Sequence, residues 1–217
     1  MTLEVCCDSV ESIRAAIEGG AQRVELCREL PTGGLTPPDE MVRYAVEHGI
    51  RTHVLIRSRA GNYVYTAEEV DQMCREICHA KELGAHGVVF GALTTEGDID
   101  TEACLRWMAE AEGMAVTFHR AFDECRRPAE ALETIIALGC HRLLTSGQAP
   151  SAEAGIPLLR QLVAQAAGRI IILPGAGVKP TNTRHILDET GAREIHGSLQ
   201  KEGRTDAALV REIACAE

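Results

Sequence analysis

GGAQRVELC, residues 19–27, is the stretch that decides the fold, because its shape returns three more times along the chain. In it, a glycine that ends a helix is followed by a small residue and a short strand. A glycine just past a helix end takes the left-handed conformation that closes the helix, so the pattern has a mechanical cause. The later copies are LGAHGVVFG (83–91), LGCHRLLTSG (138–147) and TGAREIHGS (190–198).

The distance from one copy to the next is long enough for two strand-and-helix units. A second set of strands is therefore expected between the copies. These strands are predicted at 3–6, 52–57, 115–119 and 169–175. Helices are predicted at about 9–19, 38–48, 66–83, 101–112, 128–138, 151–167, 180–190 and 206–215. Eight alternations without a linker predict a single (β/α)8 TIM-type barrel over residues 1–217. A doubly wound open sheet competes, but CCDSVES after the first strand lacks its glycine-rich fingerprint.

The composition argues against membrane-spanning, secreted and nucleic-acid-binding proteins. No apolar stretch among the 217 residues approaches the length that crosses a bilayer, and no secretory signal is evident at MTLEV. The formal net charge of -10 disfavours a nucleic-acid partner. The nine cysteines are odd in number and scattered, which favours free thiols over a disulfide framework. We therefore expect a cytoplasmic protein that binds neither nucleic acid nor membrane.

Polar side chains are predicted to face the inside of the barrel. Successive strand residues point to opposite faces, so apolar residues such as Leu3 and Val5 face the helices while their neighbours face inward. Glu4 and Arg23, early in their strands, are expected to lie in salt bridges that fill the barrel. Functional roles are expected for residues near the C-terminal strand ends, where barrel active sites lie. These residues are Glu25, Cys27, Arg57, His119 and His196.

Three loops add candidates at the same end of the barrel. LPGAGVKP contains Gly175 and Gly177 and opens a helix, an arrangement that either grips a phosphate or forms a plain tight turn. RSRAGNYVY (57–65) begins with two arginines and is either an anion-binding lid or a surface loop. VTFHRAFD (116–123) places a base, a guanidinium and a carboxylate directly after a strand.

The motifs also resemble a known family. LEVCCDSVES, GGAQRVELC with PTGGLTP, VVFGALTTEGDID, VTFHRAFD, RLLTSG and IHGS are similar, in order and spacing, to the CutC family of copper homeostasis proteins. The resemblance runs from Leu3 to about Ser198. It implies a (β/α)8 barrel, a copper(I) site at Cys6 and Cys27, and a homo-oligomer, most simply a two-fold dimer. Two thiolates suit copper(I), which is a soft ion.

An enzyme acting on a small anionic or phosphorylated metabolite is the alternative function. Under this hypothesis the reaction remains undefined, because one barrel fold hosts many chemistries. Glu25, His119 and Asp123 would supply acid or base, and His119 with Asp123 nearby suggests an oriented base. The anion would be held by Arg57, Arg59, Arg120, Gly175, Gly177 and Ser198.

Overall fold

Eight parallel strands alternate with eight helices in the computed structural model, which describes residues 1–215. The strands are β1 (Thr2–Cys7), β2 (Arg23–Leu26), β3 (Arg51–Leu55), β4 (Gly87–Phe90), β5 (Ala115–Phe118), β6 (Arg142–Thr145), β7 (Ile171–Pro174) and β8 (Glu194–Gly197). They pair in chain order from β1 to β7, and β8 pairs with β1. Contacts between β7 and β8 bring the sheet close to closure. The predicted (β/α)8 barrel is confirmed.

The helices surround the sheet. They are α1 (Val10–Gly19), α2 (Asp39–Glu47), α3 (Ala67–Glu82), α4 (Thr101–Glu110), α5 (Pro128–Ala137), α6 (Ile156–Ala166), α7 (Pro180–Thr190) and α8 (Ala207–Ala214). The four repeat glycines have the positive φ that was expected, between 75° and 87°, at Gly20, Gly84, Gly139 and Gly191. In the described range of residues, no helix is long and apolar enough to cross a membrane.

Helix α6 starts later than the sequence pattern predicts. A helix was predicted from residue 151, but residues 151–155 form turns and α6 begins at Ile156. The reason is Pro157, which is tolerated in the first turn of α6 but would break a helix that began at residue 151. Just before it, an added Cβ at Gly155 would fall 1.8 Å from the Ser146 carbonyl oxygen. The chain before α6 is therefore pressed against the loop that follows β6. A short hairpin, β9 (Gln200–Lys201) with β10 (Arg204–Thr205), was also missed.

The alternation of strand side chains is confirmed. Leu3, Val5 and their counterparts on other strands belong to the large apolar core between sheet and helices. Inside the barrel, a separate small apolar cluster contains Cys6, Cys27, Leu55 and Val89. The remaining interior is polar, and its open end forms the site described next.

Candidate functional site

A cavity of about 850 Å³ lies at the C-terminal ends of the strands. Most of the predicted site residues line this cavity. Residues from strands and loops that are far apart in the chain therefore meet in one site. Of the residues predicted from the sequence, it contains Cys6, Glu25, Arg57, His119, Arg120, Asp123, Gly177, His196 and Ser198.

A buried ionic network underlies this cavity and confirms that Glu4 and Arg23 lie in salt bridges inside the barrel. Glu4 is fully buried and accepts hydrogen bonds from Arg23 Nε and from His196 Nδ1, the latter at 2.8 Å. Arg23 Nη2 also donates to Glu194 at 2.6 Å. Burial opposes ionisation of Glu4, but the His196 hydrogen bond and the Arg23 charge outweigh it and hold the pKa of this carboxyl well below its usual range. The network therefore contains a buried carboxylate.

One wall of the cavity brings the Cys6 thiol together with a carboxyl and an imidazole, and the fully buried Cys27 thiol lies behind it. Cys6 Sγ lies 3.7 Å from Cys27 Sγ and 4.0 Å from Glu25 Oε1. Ligand atoms of Cys6, Glu25 and His196 all lie within 4.8 Å of one another. Glu25 Oε2 is buried and has no hydrogen-bond partner within residues 1–215. Cys27 is outside this group of three, and its nearest surroundings are apolar.

His196 is a ligand candidate that the sequence pattern did not assign to the metal. Its Nδ1 donates to the ionised Glu4, so in the neutral ring Nε2 carries a free lone pair. A carboxylate behind a histidine is the arrangement that orients metal-binding imidazoles in many sites. Alternation predicted that His196 faces inward, but the pairing of Glu4 with His196 depends on the β1 and β8 register. Sequence alone gives no signal for that register.

The titratable groups on this wall hold protons unusually tightly. The hydrogen bond with Cys27, together with burial, raises the pKa of the Cys6 thiol well above its usual value. Burial raises the pKa of Glu25 to about 7, with the His196 charge acting in the opposite direction. Burial lowers the pKa of His196, but the hydrogen bond with Glu4 outweighs it and raises that pKa. Without a cation, the thiol, the carboxyl and the imidazole of this wall therefore all hold a proton more tightly than in water.

His119, which also lines the cavity, has a different partner from the one predicted. Its Nδ1 accepts the Ala121 backbone N–H at 3.2 Å, which caps the short 3-10 helix Arg120–Glu124. Burial and, to a lesser degree, the Arg57 charge lower the pKa of His119 to about 3. The ring is therefore neutral at pH 7, with its proton on Nε2. Orientation by Asp123, which the sequence suggested, is replaced by orientation through a backbone amide.

Asp123 instead anchors the loop after β6. Its carboxylate accepts from the Thr145 hydroxyl, from the Ser146 amide and hydroxyl, and from the Gln148 amide. Arg120 Nε adds an ion pair at 2.8 Å. Both oxygens are thus occupied by donors within the protein. This arrangement makes Asp123 a positioning residue and leaves its predicted acid–base role untested.

Two residues predicted to bind the anion have their donors engaged elsewhere. Arg59 Nε pairs with Glu69 at 2.5 Å, and its other nitrogens donate to the Asn62 and Val64 carbonyls. The Gly175 N–H donates to the Thr145 carbonyl at 3.0 Å. Neither donor is available to a ligand. Gly175 has another use, because an added Cβ would fall 3.3 Å from the His196 ring.

Replacing His53 with glutamine is expected to make stability less sensitive to acid. Burial lowers the pKa of His53 to about 4 from 6.5, with the Glu4 charge acting in the opposite direction. Below pH 6.5 the unfolded chain therefore takes up a proton that the folded chain does not, and acid favours unfolding. Between pH 7 and pH 5 we expect the native protein to lose about 2 kcal/mol of stability that H53Q retains.

Urea unfolding of both proteins at the two pH values measures this difference. The matched control is His185→Gln, at an exposed position, which should leave the native pH dependence unchanged. Parallel pH profiles for the native protein and H53Q would contradict the prediction.

Comparison with known proteins identifies the family. A sequence model of the CutC family matches residues 1–201. The CutC family protein of Bacteroides thetaiotaomicron is 50% identical over 205 residues, which cover 94% of this chain and 82% of the relative. The Pasteurella multocida relative is 48% identical over 197 residues, covering 90% and 81%.

Solved structures agree with this result. The crystal structure of CutC from Streptococcus agalactiae superposes with a TM-score of 0.87 at 32% identity, covering 91% of this chain and 98% of that one. An aldolase named QR15 superposes with a TM-score of 0.71 at 15% identity, a likeness that concerns the fold alone. The expected resemblance is confirmed, and the chain belongs to the CutC family.

Proposed function

We propose that this chain binds copper(I) inside the barrel and serves copper homeostasis. The observation that carries the proposal is the position of Cys6, whose sulfur lies 3.7 Å from Cys27 Sγ and within 4.8 Å of ligand atoms of Glu25 and His196. The S. agalactiae relative carries copper homeostasis in its name, which supports the same function. Family membership favours this function over an enzyme of undefined reaction.

The donor chemistry fits a soft monovalent ion. Thiolate sulfur and imidazole nitrogen both suit copper(I), whereas a carboxylate alone would favour harder ions. The unpartnered Glu25 Oε2 leaves one coordinating atom available beside Cys6, and His196 adds a nitrogen once its ring has lost the extra proton. Because the Cys6 thiol holds its proton tightly, copper must displace a proton when it binds. We therefore expect copper affinity to rise with pH.

Anaerobic titration of copper(I) against a coloured copper(I) chelator tests the proposal. We expect one ion per native chain, and a loss of at least about 100-fold in affinity for Cys6→Ser, because removing a ligand costs at least as much as removing its supporting partner. Cys7→Ser is the matched control, since the adjacent Cys7 is equally buried but belongs to the helix-facing core. Its affinity should match the native value.

Further variants identify the other ligands. The copper affinity of His196→Gln tests the group formed by Cys6, Glu25 and His196. The affinity of Cys27→Ser tests the pair of thiols, Cys6 and Cys27. Circular dichroism must show that each variant is folded before its affinity is interpreted. If the folded Cys6→Ser variant keeps native affinity, Cys6 is not a copper ligand and the proposal fails.

The cytoplasmic location and the two-fold dimer stay predictions from the sequence. Both are open to direct measurement, by cell fractionation for the first and by sedimentation for the second.

A further inference from the structure

Arg57 is a buried cation whose charge is not balanced by a neighbouring carboxylate. Its residue is 3% exposed. Nη1 donates to the Thr32 and Gly34 carbonyls at 3.1 and 3.0 Å, and Nη2 donates to the Gly61 carbonyl at 2.8 Å. None of the ion pairs within residues 1–215 includes Arg57, and its Nε has no partner there. A buried charge in this state is costly until an anion neutralises it.

His119 offers a fixed hydrogen-bond donor on the same wall. Because Nδ1 accepts the Ala121 N–H, the neutral ring carries its proton on Nε2. His119 is 5% exposed and lines the cavity, and its Nε2 has no hydrogen-bond partner in the part of the chain that the structure describes. A buried N–H without a partner is unfavourable, and an acceptor oxygen in the cavity would satisfy it.

Tyr63 places these two groups on the same side of the cavity. The Arg57 guanidinium carbon lies 4.9 Å from the centre of the Tyr63 ring, and the His119 ring centre lies 5.0 Å from it. All three residues line the cavity. The cation and the donor therefore belong to one surface.

Arg120 brings a second guanidinium to the mouth of the cavity. Nε is held by Asp123 at 2.8 Å and Nη2 by the Ser146 hydroxyl at 3.2 Å. These two bonds fix the side chain, which is 44% exposed. The charge of Arg120 is shared with Asp123, so its contribution is a positioned donor at the entrance rather than a second unbalanced charge.

We propose that Arg57, His119 and Arg120 form a binding site for a small organic anion, whose carboxylate or phosphate oxygen accepts the His119 Nε2 proton beside Arg57. The cavity of about 850 Å³ has room for an organic group beyond the anionic one. Leu30, Leu55, Leu144 and Leu199 provide apolar surface for it. Its polar groups come from the loop after β3 and the turn after β5, whereas Cys6 and Glu25 lie on β1 and β2 of the same cavity.

Titration with three probes of defined chemistry tests the site: inorganic phosphate, phosphoglycolate and glycolate. Isothermal calorimetry at constant ionic strength measures the affinities. The native chain is expected to bind phosphoglycolate or glycolate more tightly than inorganic phosphate. The better of the two organic probes shows whether phosphate or carboxylate is the preferred anionic group.

His119→Asn is the decisive variant. Asparagine keeps an oxygen that can accept the Ala121 N–H, but it removes the Nε2 donor, so the local fold is preserved. We expect its affinity for the organic anion to fall about 10-fold or more, the range for a hydrogen bond to a charged group. Arg127→Gln is the matched control, because it removes one positive charge from an exposed side chain that pairs with Asp98 and Glu130. It should bind like the native chain.

Two outcomes overturn this proposal. One is that the native chain binds none of the three probes, and the other is that H119N and native affinities are equal. The copper proposal is tested independently, since Cys6→Ser should keep anion affinity and H119N should keep copper affinity. Failure of either proposal is thus distinguishable from failure of the other.

Discussion

Replacing Glu4 with alanine is expected to lower the free energy of unfolding by about 3–5 kcal/mol, the range for breaking a buried ion pair from one side. Glu4 is fully buried, pairs with Arg23 and accepts from His196 Nδ1. Without it, Arg23 stays buried with Glu194 as its remaining carboxylate partner, and the His196 Nδ1 proton loses its acceptor. This loss of stability measures the cost of leaving Arg23 and His196 without Glu4, and not the net stabilisation by the Glu4–Arg23 ion pair.

Urea unfolding at pH 7 measures this effect as a lower midpoint with an unchanged slope. Glu133→Ala is the matched control, because Glu133 pairs with Arg169 at an exposed surface, where ion pairs contribute little. Its loss should be much smaller. A Glu4→Ala loss no larger than that of the control would show that the network does not stabilise the barrel.

Glu4→Ala should also weaken copper binding. The variant removes the carboxylate that bonds His196 Nδ1 and fixes the ring beside Cys6 and Glu25. Loss of such a supporting group typically costs about 10- to 100-fold in metal affinity. The conservative Glu4→Gln variant keeps an acceptor oxygen, so it should retain more of this affinity if it folds.

Replacing Asp123 with alanine is the second large effect, with an expected loss of about 3 kcal/mol, because several donors lose a charged acceptor together. The carboxylate, 9% exposed, is the shared acceptor for Thr145, Ser146 and Gln148. It also holds Arg120 at the cavity mouth. We therefore expect the variant to lose both stability and anion affinity.

Thermal unfolding and anion calorimetry on the same variant measure the two losses. Asp98→Ala is the matched control, since Asp98 pairs with two arginines but is 34% exposed, so solvent can replace its bonds. If both aspartate variants behave alike, Asp123 does not anchor the loop. A loss of anion affinity without a loss of stability would instead support the direct role that the sequence suggested.

The sequence by itself determined the barrel and the inward direction of the polar side chains. The glycine repeat sets where helices close, and a period of two sets which face of a strand is buried. Both patterns depend only on residues that are close together in the sequence, so they can be read without knowing the tertiary structure. The same alternation placed Cys6 and Cys27 inside, and the structure brings their sulfurs to 3.7 Å.

Only the tertiary structure decided which inward groups meet. Glu4 and His196 lie 192 positions apart and pair through the register of β1 with β8. Asp123 bonds donors of the loop after β6 instead of His119, and Arg59 bonds Glu69 in the first turn of α3. Such partners depend on strand register and loop geometry, which distant parts of the chain fix together, and no local pattern encodes them.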